Sequence, residues 1–156
     1  MAQEFEQQAD AFGARGALLG LDIGEKTIGV ASCPADRTVA TPVETIRRAK
    51  LTRDAERLAE LASERGVVGL VVGLPLHMTG EESRRTQSTR AIAGRLRQFL
   101  DLPVAFWDER LSTAAMERDL IALDVSRARR REQIDASAAA FILQGAIDRL
   151  RARGSA

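Results

Sequence analysis

Short apolar runs that end at glycine mark the strands that the sequence predicts. Residues 17–23 and 67–72 consist almost entirely of Ala, Gly, Leu, Ile and Val, and they are followed by Gly24 and Gly73. Runs of this kind are typical of strands that are covered on both faces of a sheet. Residues 27–33 are rich in β-formers and follow the first run after a three-residue turn. We therefore expect a hairpin between these two strands.

Two more β-rich segments and four helical segments complete the pattern. Val, Ile and Thr predict a third strand within residues 38–46, and a short apolar run predicts a last strand at residues 104–107. Apolar positions at helical spacing predict helices over residues 51–65, 83–100 and 134–151, and Ser112 can cap a fourth helix that runs to about residue 123. Residues 124–132 are charged and rich in arginine, and we expect them to form a connection. This order of elements predicts an α/β domain with a mixed sheet.

The length and composition fit one such domain. The chain has 156 residues, of which 45% are hydrophobic and 29% are charged, so it can form a core and is not a disordered chain. Residues 1–15 are polar and aperiodic, and we expect a flexible N-terminal extension followed by a single domain over residues 16–153. No apolar run approaches the roughly 20 residues of a membrane-spanning helix, and the first residues are acidic. We therefore expect a cytoplasmic protein that does not bind membranes.

The rarity of cysteine and histidine limits the chemistry that the chain can perform. Cys33 and His77 are the only residues of their types, which excludes an intramolecular disulfide and a cysteine-rich zinc site. No Gly-x-Ser-x-Gly motif occurs, so a hydrolase with a serine nucleophile is disfavoured. Catalysis by carboxylates is the remaining expectation.

Three carboxylates stand where a charged group needs a partner. Asp22 interrupts an apolar strand between two glycines, Glu109 directly follows a predicted strand, and Asp135 shares a helix face with apolar residues. Each also has an ordinary alternative role: Asp22 as a turn former, Glu109 as a polar residue in a strand-to-helix turn, and Asp135 as a helix N-cap. If the three converge, oxygen ligands without Cys or His select Mg²⁺ or Mn²⁺. Two such ions about 3.5–4 Å apart can hydrolyse a phosphodiester bond.

Four sequence motifs occur together, in the order and with the spacing of a known family. The motifs are GLDIGEKTIGV at residues 20–30, VGLP at residues 72–75 with Met78 and Gly80, DERLST at residues 108–113, and IDxxAA at residues 134–139. On these motifs the chain resembles the YqgF/RuvX family over about residues 17–150. Members of that family are described as Holliday junction resolvases and as nucleases of the 5′ end of pre-16S ribosomal RNA.

The resemblance implies a ribonuclease H-like fold, with a five-stranded mixed sheet and helices on both faces. It also implies metal-dependent hydrolysis of phosphodiester bonds. By motif position, Asp22, Glu109 and Asp135 would be the catalytic acids and the ligands of Mg²⁺ or Mn²⁺, which are the three carboxylates found above. The resemblance further suggests that the loop at residues 73–80 lines the site. His77 departs from the Asn that is more usual there, which concerns substrate handling rather than the metal ligands.

Basic residues near these motifs are candidates for phosphate contacts. Arginine makes up all but two of the 23 basic residues, and its planar side chain suits bidentate phosphate binding, although a GC-rich coding bias gives the same composition. The net charge of +1 favours no particular partner. The candidates for nucleic-acid binding are Lys26, Arg84, Arg85, Arg127, Arg129, Arg130 and Arg131, with Arg90 as a further possibility. Their alternative is a solvated charged face.

We therefore expect a hydrolase, a metal-dependent endonuclease that acts on structured nucleic acid. Its substrate would be Holliday junction DNA, the 5′ end of pre-16S rRNA, or both, since each presents phosphates and shape. One alternative is a non-catalytic RNA- or ribosome-binding module with the same fold. Another is an actin-like phosphate-binding ATPase, which residues 22–27 resemble but which needs two lobes. Junction resolution calls for a two-fold homodimer, and the sequence leaves the oligomeric state open.

Overall fold

A single mixed sheet lies at the centre of the protein in the computed structural model, which describes residues 2–77, 79–111 and 127–154, with side chains for residues 4–77, 79–110 and 136–154. Its strands within this part of the chain are β1 (Ala17–Ile23), β2 (Thr27–Cys33), β3 (Thr41–Arg47), β4 (Val67–Leu74) and β5 (Val104–Asp108). They lie in the order β3-β2-β1-β4-β5. β2 is antiparallel to β1 and β3, whereas β4 is parallel to β1 and β5. Four strands therefore end at the same side of the sheet, which we call the carboxyl edge.

Helices cover both faces of this sheet. They are α1 (Ala2–Ala9), α2 (Leu51–Arg65), α3 (Arg84–Leu100) and α4 (Arg127–Gly154). One core lies between the sheet and α2 and α3, and it contains Leu19, Leu58 and Leu96. The second core lies between the sheet and α1 and α4, and it contains Leu18 and Leu143. The α/β fold with a five-stranded mixed sheet and helices on both faces is thus confirmed.

Local sequence signals explain where α2 and α3 begin and end. Gly66 ends α2 in the left-handed conformation, with φ at 62°, and its N–H group donates to the carbonyls of Ala62 and Ser63. Ser83 begins α3 through a capping box, in which its side chain accepts from the Thr86 N–H and the Thr86 hydroxyl accepts from the Ser83 N–H. Both helices were expected at nearly these positions.

Three strand ends differ from the sequence prediction at the carboxyl edge. β3 ends one residue later than expected, at Arg47, β4 continues through Gly73 to Leu74, and β5 includes Asp108. The parallel pairing of β4 with β5 explains the extension of these two strands, because Gly73 pairs with Trp107 and Leu74 with Asp108. The helix predicted over residues 112–123 lies outside the described residues.

The last helix begins earlier than the sequence analysis predicted. α4 starts at Arg127, so the arginine run at residues 127–131 is helical, and the expectation of a connection there was wrong. Arg, Ala, Glu and Gln are good helix formers, and no Gly or Pro interrupts residues 127–134. Asp135 consequently lies about two turns inside the helix instead of at its N-cap.

The N-terminal segment is helical and packed, which differs from the flexible extension expected there. α1 leads into a short 3₁₀ helix at Asp10–Phe12, and Phe5, Ala9 and Phe12 are buried in the second core. The ring of Phe5 meets Trp107 edge to face, with 5.0 Å between the ring centroids. The three buried residues follow the i, i+4, i+7 spacing of one helix face, so the segment can bury an apolar stripe despite its polar composition. None of the helices in the described part of the chain has the length and apolar character needed to span a membrane.

Candidate active site

Asp22 lies near the end of β1, on the face of the sheet that α4 covers. Side chains alternate along a strand, and Leu18 packs into the core on the α4 side whereas Leu21 packs into the opposite one. Asp22 therefore faces α4, where it is half-buried and pairs across the ladder with Gly29 of β2. The apolar run of β1 thus carries one carboxylate to the carboxyl edge.

Gly73 provides the space for a second carboxylate beside Asp22. Leu21 pairs with Val72, so the next residues along the two parallel strands are Asp22 and Gly73. A Cβ atom at Gly73 would come within 2.7 Å of Glu109 Oε2 and within 2.4 Å of Ile142 Cδ1. From the sequence this glycine was interpreted as the end of a strand and as the first residue of a loop that the family resemblance places at the site, but its contact with Glu109 was not predicted. A glycine that follows an apolar run was the available signal for such a close approach.

Glu109 is held in this space by the turn that follows β5. It begins a short 3₁₀ helix at Glu109–Leu111. The pKa of Glu109 is raised to about 7, chiefly by burial and also by the nearby charges of Asp22 and Asp108, whereas the charge of Arg85 opposes the increase. The structure thus brings Asp22 and Glu109 close enough for each charge to disfavour the other.

Asp108 has a different environment, although it precedes Glu109 in the sequence. Its carboxylate accepts hydrogen bonds from the backbone N–H of Arg110, at 3.0 Å, and from Arg110 Nε, at 2.8 Å. Burial favours the neutral form of Asp108, but these hydrogen bonds outweigh it and hold its pKa below the ordinary value. Asp108 therefore closes the turn that positions Glu109.

The backbone of α4 places Asp135 toward the same edge. The carbonyl oxygen of Ala139 lies 2.9 Å from the position that a Cβ atom on Gly20 would take. Asp135 precedes Ala139 by one helical turn, about 6 Å along the axis, and Asp22 lies about 7 Å beyond Gly20 along β1. The last turn of α4 lies beside the segment that precedes β1, so the helix runs antiparallel to this strand. The Asp135 side chain lies outside the described part of the structure.

The loop between β4 and α3 lies beside the turn that holds Glu109. The Gly80 N–H donates to the carbonyl of His77 at 2.7 Å, and the His77 N–H donates to that of Glu81 at 3.0 Å. The Thr86 hydroxyl donates to the carbonyl of Pro75 and ties the loop to α3. A Cβ atom at Gly80, whose φ is 90°, would lie 3.4 Å from Nη1 of Arg110, a residue of that turn. The imidazole of His77 is exposed.

The predicted phosphate-binding residues divide into three groups. Lys26 is exposed in the turn after β1, and Arg84 and Arg85 are exposed in the first turn of α3. Arg90 instead forms ion pairs with Glu4, at 2.7 Å, and with Glu82, at 2.9 Å. Arg90 is thus engaged with acidic side chains, in keeping with the charged-face alternative that the sequence left open for it. The third group lies on α4 with side chains outside the described residues, and it comprises Arg127, Arg129, Arg130 and Arg131.

The chemistry of the acid pair fits a divalent cation. Asp22 and Glu109 supply only oxygen donors, and the repulsion between them, which helps to raise the pKa of Glu109, is relieved by positive charge. Among the side chains that the structure describes, no group of three His, Cys, Asp or Glu residues forms a metal site. The described portion of the site thus holds two of the three predicted acids.

Comparison with known proteins identifies the family that this chain matches. The family described as "RuvX: Holliday junction resolvase" matches residues 16–149. A protein of Bradyrhizobium sp. (strain BTAi1), named "Putative pre-16S rRNA nuclease", is 60% identical over 144 residues, which cover 92% of this chain and 89% of that protein. A protein of the same name from Rhodopseudomonas palustris (strain TIE-1) is 62% identical over 138 residues, which cover 88% of this chain and 86% of that protein.

A solved structure shares the fold. The structure of T. thermophilus RuvC in complex with Holliday junction substrate superposes with a TM-score of 0.54 at 16% sequence identity, and the match covers 88% of this chain and 95% of that one. This similarity confirms the ribonuclease H-like fold. Because the family match covers most of the sequence, the chain belongs to the RuvX family of Holliday junction resolvases.

Proposed function

We propose that the protein is a nuclease that hydrolyses phosphodiester bonds in structured nucleic acid. The observation that carries this proposal is the acid pair of Asp22 and Glu109 at the carboxyl edge, where the missing side chain of Gly73 leaves space for the Glu109 carboxylate. Ligand sites of open α/β sheets lie beyond the carboxyl ends of the strands. The family description and the names of the relatives at about 60% identity point to the same class of reaction.

Asp22, Glu109 and Asp135 are the residues that would hold Mg²⁺ or Mn²⁺. Carboxylate oxygens are the ligands that these hard cations prefer, and the chain offers no cluster of cysteine or histidine instead. When two such ions are bound, they supply an activated water molecule and stabilise the leaving oxygen of a phosphodiester. The proposal extends to Asp135 through the position of its backbone on α4 and through its sequence motif.

Glu109 combines this ligand role with a proton affinity near neutrality. Because its pKa is about 7, the carboxylate of the metal-free protein holds a proton about half of the time at pH 7. The positive charge of Arg85 favours the ionised form. The positive charge of Arg85, or of a cation bound at the site, therefore shifts Glu109 toward the ionised carboxylate, which is the form that can bind a metal ion.

Arg85 is well placed to bind a phosphate group beside the acids. It is exposed at the first turn of α3, and its charge acts on Glu109. Arg84 and Lys26 lie near the same edge, and we extend the phosphate-binding role to them. The arginines at residues 127–131 precede Asp135 on α4. We propose that they contact the phosphate backbone of the substrate on the other side of the acids.

Cleavage assays on two substrates test this proposal. A labelled four-way DNA junction and a labelled RNA with the 5′ end of pre-16S rRNA are incubated with Mg²⁺, with Mn²⁺ or with EDTA. We expect metal-dependent cleavage of at least one substrate, and loss of that cleavage in Asp22→Asn. Asp101→Asn is the matched control, because Asp101 lies at the C-cap of α3 with φ at 53°, a conformation that Asn tolerates well.

The substrate that is cut distinguishes a junction resolvase from an rRNA nuclease. Cleavage by Asp22→Asn at the wild-type rate would contradict the role of the acid pair. Absence of cleavage of both substrates by the wild-type protein would contradict the nuclease proposal. Binding without cleavage would then support a non-catalytic RNA- or ribosome-binding module.

A further inference from the structure

A basic surface flanks the acids on the side of β3. It is formed by the turn at residues 24–26, the end of β3 and the first residues of α2. Four of its side chains, those of Lys26, Arg47, Lys50 and Arg53, are exposed, and Arg48 is half-buried. We call these five residues the β3-side basic surface. Both lysines of the chain belong to it.

Hydrogen bonds fix the segments of this surface against each other. Arg47 pairs with Thr27 at the end of the β2–β3 ladder, and the Arg48 N–H donates to the Lys26 carbonyl at 2.8 Å. Arg48 Nη1 donates to the carbonyls of Gly24, at 2.7 Å, and of residue 25, at 3.2 Å. Arg48 therefore shapes the turn, and the other four basic side chains extend from an ordered backbone.

Acidic side chains do not neutralise this surface. Within residues 24–26 and 47–54, Glu25 is the one exposed carboxylate, because Asp54 is buried and accepts from the Ala49 N–H at 3.2 Å. Lys26, Arg47, Lys50 and Arg53 form no ion pair with any side chain that the structure describes. Arg57, one turn further along α2, pairs with Glu44 at 2.6 Å and with Glu60 at 2.8 Å. The unpaired charge is thus concentrated at the carboxyl edge.

The position of this surface relative to the acids suits a nucleic-acid backbone. β3 lies two strands from β1, which is about 10 Å away. Ile46 packs into the core on the side of α2 and α3, so the next residue, Arg47, faces the α4 side of the sheet, as Asp22 does. Arg84 and Arg85 lie on the other side of the acids, at the start of α3. The edge from β3 to β5 is about 19 Å wide, which spans five to six phosphates of one strand.

We propose that the β3-side basic surface binds the phosphate backbone of a double-stranded arm of the substrate, next to the strand that the acids cut. No aromatic residue occurs within residues 24–26 or 47–54, so these segments lack the rings on which proteins that bind single strands stack the bases. Exposed lysine and arginine side chains without acid partners suit phosphates and do not read sequence. This inference rests on the proposed nuclease function, because it assigns the surface to the substrate of that site.

The salt dependence of binding tests the inference with two variants of equal charge. One variant combines Lys26→Gln, Arg47→Gln, Lys50→Gln and Arg53→Gln. The control combines Arg15→Gln, Arg65→Gln, Arg95→Gln and Arg97→Gln, which are exposed residues away from the carboxyl edge. Binding of a labelled DNA duplex of about 30 base pairs, and of one of its strands, is measured in EDTA over a range of salt concentrations, so that no cleavage interferes.

We expect a clear difference between the two variants. Each lost phosphate contact reduces the slope of log K against log salt by about 0.9 for a duplex, so the first variant should lose between about 2 and 4 from its slope and bind at least roughly tenfold more weakly at 0.1 M salt. The control should keep the wild-type slope. Arg47→Gln alone should reduce the slope by about 1, which tests the surface even if the fourfold variant does not fold.

Three results would overturn the inference. They are an equal slope in the first variant and the wild type, an equal loss in the control, and tighter binding of the single strand than of the duplex. These results are distinct from a failure of the proposed function. If the first variant keeps the wild-type slope while the wild-type protein still cuts, the role of the β3-side basic surface is contradicted and the nuclease proposal is retained. A reduced slope without any metal-dependent cleavage would support the surface and contradict catalysis.

Discussion

The proton affinity of Glu109 follows from where its carboxylate lies. The side chain occupies the space above Gly73, near Asp22, and burial is the largest cause of its raised pKa. In water a lone carboxylate would be ionised well below pH 7. Ionisation of Glu109 in the folded protein is therefore unfavourable, and other interactions of the fold must offset its free-energy cost.

Replacing Gly73 tests this arrangement at its closest contact. In Gly73→Ala, the new methyl group would lie 2.4 Å from Ile142 Cδ1 and 2.7 Å from Glu109 Oε2, so both of these side chains must shift. We expect a loss of about 1–3 kcal/mol in the free energy of unfolding, measured with urea, and reduced cleavage. Gly94→Ala is the control, since nothing lies within 4 Å of its Cβ position in α3 and alanine favours the helix. Equal stabilities of the two variants would contradict the close packing at Gly73.

The raised pKa of Glu109 predicts a pH-dependent stability of the metal-free protein. The folded state, with a pKa of about 7, binds the proton more tightly than the unfolded state, whose pKa is near the ordinary 4.5. The free energy of unfolding contributed by this group is therefore highest below about pH 4.5 and falls as the pH rises through 7, by about 1–3 kcal/mol in total. Glu109→Gln should lack this decrease.

Urea unfolding in EDTA at pH 5 and pH 8 measures the difference. Glu109→Gln should gain stability relative to the wild type between the two pH values. Glu25→Gln, at an exposed position in the turn after β1, should follow the wild type at both. A parallel pH dependence of Glu109→Gln and the wild type would show that Glu109 titrates near its ordinary value.

At the scale of elements, α1 covers β5 at the edge of the sheet. The Gln8 side chain accepts a hydrogen bond from the Phe106 N–H at 2.9 Å, so a backbone donor of the edge strand is satisfied. Arg90 stacks on the Phe106 ring at 4.9 Å and joins Glu4 of α1 to Glu82 of the loop before α3. The pKa of Glu4 is lowered chiefly by its hydrogen bond with Arg90. The first helix is thus bound to the elements that border the site.

Removing the main anchor of α1 should destabilise the protein. Phe5 is 1% exposed, and Phe5→Ala should lower the free energy of unfolding by about 3–5 kcal/mol. Because Phe5 packs on Trp107, the only tryptophan, the fluorescence of that residue should shift to longer wavelength. Phe99→Ala, at a position that is 48% exposed, should change stability by less than about 1 kcal/mol. Unchanged stability and fluorescence in Phe5→Ala would indicate that α1 is detached in solution.

The sequence predicted the elements whose pattern is local, and it failed where burial depends on distant partners. β1 and β4 were predicted because a short, almost entirely apolar run that ends at glycine is typical of a buried strand. The packing of α1 was missed because its apolar stripe is only three residues long and its partners, β5 and α4, lie more than 90 residues away. The start of α4 was misplaced because charged residues were taken to indicate a connection, although their helix propensities are high.

At the scale of the whole molecule, the topology of the sheet assembles the site. Because β1, β3, β4 and β5 end at one edge, Asp22, Glu109 and the basic residues after β3 come together from distant parts of the sequence. Asp22 and Glu109 are recognisable in the sequence as unusual carboxylates, since each follows or interrupts an apolar run. Their proximity is not, because it depends on the register of β1 with β4 and on the missing side chain of Gly73.

Binding of a divalent cation should stabilise the whole fold. A ligand that binds only the folded state raises the free energy of unfolding by RT ln(1 + [L]/Kd), so Mg²⁺ or Mn²⁺ should increase the Tm of the wild type over that in EDTA. Asp22→Asn should abolish most of this increase, whereas Asp101→Asn should keep it. The increase should also be larger at pH 8 than at pH 6, because the cation competes with the proton that Glu109 binds below about pH 7. An equal increase in Asp22→Asn would place the cation elsewhere.

The packing of α1 on β5 affects the order in which the chain folds during translation. The ring of Phe5 meets Trp107 of β5, and the ring of Phe12 lies against Gly69 of β4. Both strands are synthesised long after these two aromatic residues, so Phe5 and Phe12 lack their partners until β4 and β5 have left the ribosome. During that part of synthesis the nascent chain exposes two large apolar side chains that a chaperone can bind.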